Sequence, residues 1–128
     1  MGLLSKTLRS VEGGGLAFWC PGCNGAHQVH VGDGPGPRWG YNGAPEKPTF
    51  TPSVLVRTIR PDLTDAEWAE YDQVAEGPGG TERVLSDPRF QWVCHSFVTD
   101  GRIQFLGDCS HHLAGQTVDL PAWPGQGV

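Results

Sequence analysis

The sequence lacks the features that mark secreted, membrane-spanning and nucleic-acid-binding proteins. No apolar run approaches the roughly 20 residues of a membrane helix, and MGLLSKTLRS at the amino terminus has no apolar core for a signal peptide. The nine lysines and arginines form no basic run and the net charge is −5, which does not favour a cationic nucleic-acid-binding face. We therefore expect a protein made in the cytoplasm, without a membrane or nucleic-acid partner.

The sequence is also poor in helical segments. The one convincing helix is predicted near 64–76, where Thr64 can cap the first turn and Glu67 completes a capping box. The Gly77-Pro78 pair ends it. Neither H-E-x-x-H nor H-x-E, two sequences typical of zinc-dependent hydrolases and deaminases, is present.

Turn-forming and aromatic residues are abundant instead, with 19 glycines, 11 prolines and five tryptophans. Short β-rich runs between turns predict a mainly β (α+β) fold, a small zinc-stapled antiparallel sheet with a hairpin at 90–106. We expect one domain over 1–128, with a variable helix and linker insertion at about 60–88 and an extended tail at 121–128. A turn-rich chain of this size often needs a metal or disulfide to stabilise its modest core.

The strongest local signal is Asp100-Gly101 between two apolar runs, which predicts a type I′ hairpin turn. In that register Cys94 and Cys109 lie on one face as diagonal neighbours, roughly 7–8 Å apart at the backbone. The pairs that define the register are Thr99 with Arg102, Val98 with Ile103, Phe97 with Gln104, Cys94 with Gly107, and Trp92 with Cys109.

Those two cysteines complement a Cys-Pro-Gly-Cys knuckle. Cys20, Cys23, Cys94 and Cys109 are the chain's four cysteines, and together they predict a tetrahedral, zinc-ribbon-like zinc site. Two disulfides, unrelated buried thiols and an iron–sulfur cluster are the alternatives to zinc. His111, His95 and His27 are alternate ligands, and a second cluster of His95, Asp108 and His111 is a further hypothesis.

Three segments carry a resemblance to a known family: CPGC at 20–23, WGYNGAPEKPTFTPSVLV at 39–56, and CHSFVTDGRIQFLGDCSHHLAGQTVDLP at 94–121. The chain resembles a family of small phage and prophage zinc-binding proteins of unknown function, often mislabelled ammonia monooxygenase. The resemblance implies a phage or prophage origin, zinc binding by Cys20, Cys23 and Cys94, and residence in a bacterial host or its virion. Similar domains also occur near bacterial ubiquitin-like conjugation genes.

The first functional hypothesis is a non-enzymatic structural or protein-interaction module, such as a virion accessory component. A four-sulfur zinc site leaves no coordination position for a substrate, and the expected partner is a viral or host protein, with assembly into a larger complex. The alternatives are a zinc hydrolase with an open Cys94, Cys109 and His111 site, cysteine chemistry assisted by a histidine, and a factor acting on a host defence or ubiquitin-like pathway.

Overall fold

The computed structural model describes residues 2–124, which contain two β-sheets and two α-helices. The four-stranded sheet has the order β1-β2-β3-β4, with strands Gly2–Leu3, Leu8–Val11, Gly15–Cys20 and Gly25–His30. The five-stranded sheet has the order β5-β6-β7-β8-β9, with strands Gly40–Tyr41, Phe50–Ile59, Gln91–Thr99, Arg102–Phe105 and Thr117–Asp119. The mainly β class predicted from the sequence is confirmed, with two sheets in place of one.

Contacts divide the chain into two compact units. Among the described residues, the first comprises 2–55 and 94–124. Its strands β3 and β4 form a hairpin around the Cys-Pro-Gly-Cys knuckle, pairing Cys20 with Gly25. Its core includes Phe18 and Phe50, which are almost fully buried and stack with ring centroids 6.1 Å apart. Aromatic contact between β3 and β6 therefore joins the two sheets within this unit.

The second unit, 56–93, contains α1 (Asp65–Ala75) and α2 (Gly80–Ser86). The predicted capping box is present, because Thr64 and Glu67 exchange side-chain-to-backbone hydrogen bonds. Helix α2 lies in the stretch expected to be a linker. It follows Gly79, whose φ of 65° glycine adopts easily, and its Val84 is buried with Leu63 and Phe90. Neither helix is long and apolar enough to cross a bilayer.

The hairpin between β7 and β8 has the predicted register for Thr99, Val98 and Phe97, whereas the predicted partners of Cys94 and Trp92 lie beyond the end of β8. Asp100 and Gly101 form its turn with φ values of 49° and 76°, as a type I′ turn requires. The paired residues run from Thr99 with Arg102 to Ser96 with Phe105. Strand β8 ends at Phe105, and after one more backbone bond from the Leu106 amide to the His95 carbonyl oxygen the chain leaves the ladder, which changes the position of Cys109.

Candidate active site and metal site

A group of four metal-ligating side chains lies in the first unit. Cys20 ends β3, Cys23 follows in the knuckle, Cys94 lies on β7, and His111 comes from the segment after β8. One ligand atom from each lies within 4.8 Å of the other three. This cluster shares Cys20, Cys23 and Cys94 with the predicted set, and His111 takes the place that we expected for Cys109.

The spacing of the ligand atoms fits a small tetrahedral ion. The sulfurs of Cys20 and Cys94 are 3.8 Å apart, and the Cys94 sulfur is 3.4 Å from Nε2 of His111. Zinc–sulfur bonds of about 2.3 Å at tetrahedral angles would place two sulfurs about 3.8 Å apart. No disulfide joins any of the four cysteines, so the structure does not contain the two disulfides of the alternative hypothesis.

Packing holds the His111 ring in the cluster. The ring lies edge-on to Phe105, with centroids 4.4 Å apart, and a methyl group on Gly22 would overlap it. The glycine of the knuckle therefore leaves the space that the imidazole occupies. Burial lowers the pKa of His111, which favours the neutral imidazole that binds metals.

His27 lies beside the cluster and is 7% exposed. Its Nε2 atom is buried and makes no hydrogen bond within the described residues. Burial lowers the pKa of His27, but the Cys20 and Cys23 sulfurs outweigh that effect and raise the pKa to about 9. His27 is not part of the four-atom group.

Cys109 makes different contacts. Its sulfur accepts a hydrogen bond from the His95 backbone N–H and donates one to the His95 carbonyl oxygen, both at 3.2 Å. Burial raises the pKa of its thiol, which favours the protonated form that can donate. Cys109 therefore contacts the backbone of β7 outside the four-ligand group.

The His95 ring contacts two other side chains, which form a second group of polar residues. Its Nε2 atom is 2.9 Å from the hydroxyl oxygen of Ser53, and its Nδ1 atom is 3.2 Å from a carboxylate oxygen of Asp108. A carboxylate can only accept, so Nδ1 carries the imidazole proton and Nε2 accepts from the serine hydroxyl. This is the arrangement of a serine–histidine–aspartate triad, which is recognised by geometry and not by order in the chain.

The strands place this triad on an accessible face. Ser53 lies on β6 and His95 on β7, while Asp108 is in the turn after β8. The side chains of His95 and Asp108 are 25% and 57% exposed, so a substrate can reach them. The indole N–H of Trp39 donates to the Ser53 carbonyl oxygen at 3.1 Å and anchors the backbone of the serine.

Sequence reasoning paired His95 with Asp108 but missed Ser53. The surrounding residues TFTPSVLV contain no G-x-S-x-G sequence, the local signal of one class of nucleophilic serines. Ser96, the serine next to His95, is fully buried and cannot meet a substrate. Only the pairing of distant strands identifies Ser53.

Comparison with known proteins agrees with this geometry. Residues 4–106 match the model of a family described as bacterial ubiquitination-like system serine protease (BubE). No curated protein and no solved structure matches the chain.

The match overturns the first functional hypothesis. A phage-type, non-enzymatic structural or virion module was the wrong prediction, because the matched family is one of serine proteases. The physical reason for the error is that the sequence gives no local signal for a nucleophile beside His95 and Asp108, so a closed four-cysteine zinc site was the favoured prediction. His95 makes its side-chain contacts with Ser53 and Asp108. The expectation of a factor in a ubiquitin-like pathway agrees better with the match.

Proposed function

The chain belongs to the family of bacterial ubiquitination-like system serine proteases (BubE), and we propose that it hydrolyses peptide bonds with Ser53, His95 and Asp108. The observation that carries this proposal is the continuous hydrogen-bonded series from the Ser53 hydroxyl through the His95 ring to the Asp108 carboxylate. Each partner has the chemical role that acyl transfer requires.

The reaction would proceed in two stages. In the first, the Ser53 oxygen attacks the scissile carbonyl carbon, and Nε2 of His95 takes the hydroxyl proton and passes it to the leaving amine. In the second, water attacks the acyl carbon while the same nitrogen accepts a proton from the water and returns it to the departing Ser53 oxygen. Asp108 fixes the tautomer of His95 and stabilises the imidazolium that forms at each stage.

The family description supports a proposal for the substrate class. Its name places the protease in a ubiquitination-like system, so we propose a protein substrate that carries a ubiquitin-like domain. The scissile bond would lie in an extended segment of that protein, because Ser53 and His95 lie on two neighbouring strands, β6 and β7, and an extended chain can contact both side chains. Both a carboxyl-terminal extension and an attached protein present such a bond.

A fluorophosphonate probe tests the nucleophile directly, because it reacts with activated serines without needing the natural substrate. The intact mass should rise by one adduct, and peptide mapping should place the adduct on Ser53. Ser53→Ala should abolish labelling, whereas Ser96→Ala should label normally, since the Ser96 hydroxyl is buried and makes no hydrogen bond in the described part of the chain. Labelling that survives in Ser53→Ala would overturn the proposal.

The cluster of Cys20, Cys23, Cys94 and His111 is proposed as a structural zinc site. Three thiolates and one imidazole form a typical structural set, and a zinc ion with four protein ligands contributes folding energy without an open position. Coordination through Nε2 requires the proton on Nδ1 of His111, so the 3.2 Å hydrogen bond from the Leu113 amide to Nδ1 should loosen on binding. Metal analysis of purified protein should find one zinc per chain, and a metal-free folded protein would contradict the assignment.

This zinc site would also order the triad. Cys94 directly precedes His95, and His111 follows Asp108 by three residues. An ion that joins Cys94 to His111 therefore fixes the segments that hold the base and the acid. Zinc would act on catalysis through the positions of these residues and without contact with the substrate.

A further inference from the structure

The structure assigns to Cys109 the role of a positioning residue for the triad, holding the backbone of His95 against the turn that carries Asp108. This inference rests on the proposed function. It concerns a thiol that the four-ligand cluster does not include and that the reaction does not consume.

Two hydrogen bonds of the Cys109 sulfur are reciprocal and involve the same residue. The sulfur accepts from the His95 N–H and donates to the His95 carbonyl, each at 3.2 Å. A thiol can do both at once, because it has one weak donor and acceptor lone pairs. The contact therefore constrains the His95 backbone on both of its polar groups.

The end of β8 explains why a side chain has this role. The β7–β8 ladder is regular as far as Ser96 and Phe105, and one further backbone bond runs from Leu106 N to the His95 carbonyl at 2.9 Å. The turn then closes on itself through Cys109 N and the Leu106 carbonyl at 3.2 Å. The Cys109 sulfur continues the hydrogen bonding of β7 where the strand that would have provided it has ended.

Asp108, the residue before Cys109, connects the constraint on the His95 backbone to catalysis. Asp108 is 57% exposed, and the hydrogen bond that the structure gives its carboxylate is the one to His95. Because Cys109 is adjacent to it, the thiol ties the backbone of the acid to the backbone of the base. A displacement of about 1 Å between catalytic groups can cost on the order of 100-fold in rate.

The test compares Cys109→Ala with Cys109→Ser in the full chain, using the rate of fluorophosphonate labelling, kcat and KM for a cleaved peptide, and zinc content. Cys109→Ala should keep one zinc per chain and an unchanged KM, with kcat and labelling rate reduced about 10- to 100-fold. Cys109→Ser should recover most of the loss, because a hydroxyl also donates and accepts. Loss of zinc in Cys109→Ala would make Cys109 a ligand and overturn the inference, as would an unchanged kcat.

Two further measurements keep the inference testable if a variant fails to fold or if Ser53 proves not to be the nucleophile. In folded, zinc-loaded protein, a methanethiosulfonate reagent should modify one thiol, Cys109, and slow labelling, and a reductant should reverse the effect. Hydrogen exchange should show lost protection over 91–99 in Cys109→Ala whether or not the chain is an enzyme. Unchanged exchange there would refute the positioning role, whereas failure of wild-type labelling alone would refute the proposed function.

Discussion

The two ring nitrogens of His95 need different partners, and Asp108 decides which nitrogen carries the proton. Its carboxylate, 3.2 Å from Nδ1, can only accept. That leaves Nε2 free to take the proton of Ser53, 2.9 Å away. A neutral amide in place of the carboxylate could donate to Nδ1 and reverse this tautomer.

Asp108→Asn should therefore lower kcat by about 10²–10⁴-fold with little change in KM. The side chains would keep their positions, but His95 would hold its proton on the wrong ring nitrogen. The matched control is Asp100→Asn, which removes the same charge from an exposed turn residue with a φ of 49°. Asparagine tolerates that conformation, so this variant should keep full activity. Equal losses in both variants would indicate an effect of overall charge and not of the triad.

At the scale of the strands, β6 and β7 each present one face to the core and one to solvent. Val54, Cys94 and Ser96 are buried, whereas the alternate positions Leu55 and Phe97 are 53% and 39% exposed. Side chains two residues apart share a face. Leu55 therefore lies on the side of Ser53, and Phe97 on the side of His95.

An apolar side chain of the substrate should contact these residues, since they lie on the same side of the sheet as Ser53 and His95 and are exposed. Leu55→Ala should raise KM about threefold to tenfold while leaving kcat nearly unchanged, because a half-exposed leucine contributes only part of the 1.5–3 kcal/mol of a fully buried one. Leu3→Ala is the control, because Leu3 is similarly exposed at 46% but lies on β1. If both variants, or neither of them, raised KM, the substrate would not bind at Leu55.

The sequence defined several elements well because their signals are local. The Asp100-Gly101 turn established the hairpin register, and Thr64 with Glu67 identified the start of α1. The predicted position of Cys109 was wrong, because it assumed that side chains continue to alternate between faces beyond Phe105, where β8 ends. Ser53 gave no local signal, because it meets His95 through strand pairing across 42 residues.

At the scale of the whole molecule, the proposed zinc ion links distant parts of the chain. Its ligands come from the β3–β4 hairpin, from β7 and from the segment after β8. Ion binding by groups that converge only in the native state stabilises that state. Stability and activity should therefore both depend on the metal.

His111 and His112 offer a matched test of whether stability and activity depend on the metal. His111 is 5% exposed and belongs to the cluster, whereas His112 is exposed. His111→Ala should weaken zinc binding by more than the roughly 10–100-fold that loss of an outer-shell partner costs, and should lower the melting temperature and the labelling rate of Ser53. His112→Ala should match the wild type in zinc content and melting. Normal zinc content in His111→Ala would remove this residue from the ligand set.

The dipeptide Cys94-His95 has a consequence for how such a chain can evolve. Cys94 points to the buried cluster and His95 points to the triad. Strand β7 supplies both sites because successive side chains of a strand point to opposite faces of the sheet. A single-residue insertion or deletion beside them would turn one of the two toward the wrong side of the sheet. Natural variants of this strand should therefore accumulate substitutions but not changes in length, and the two residues should be gained or lost together.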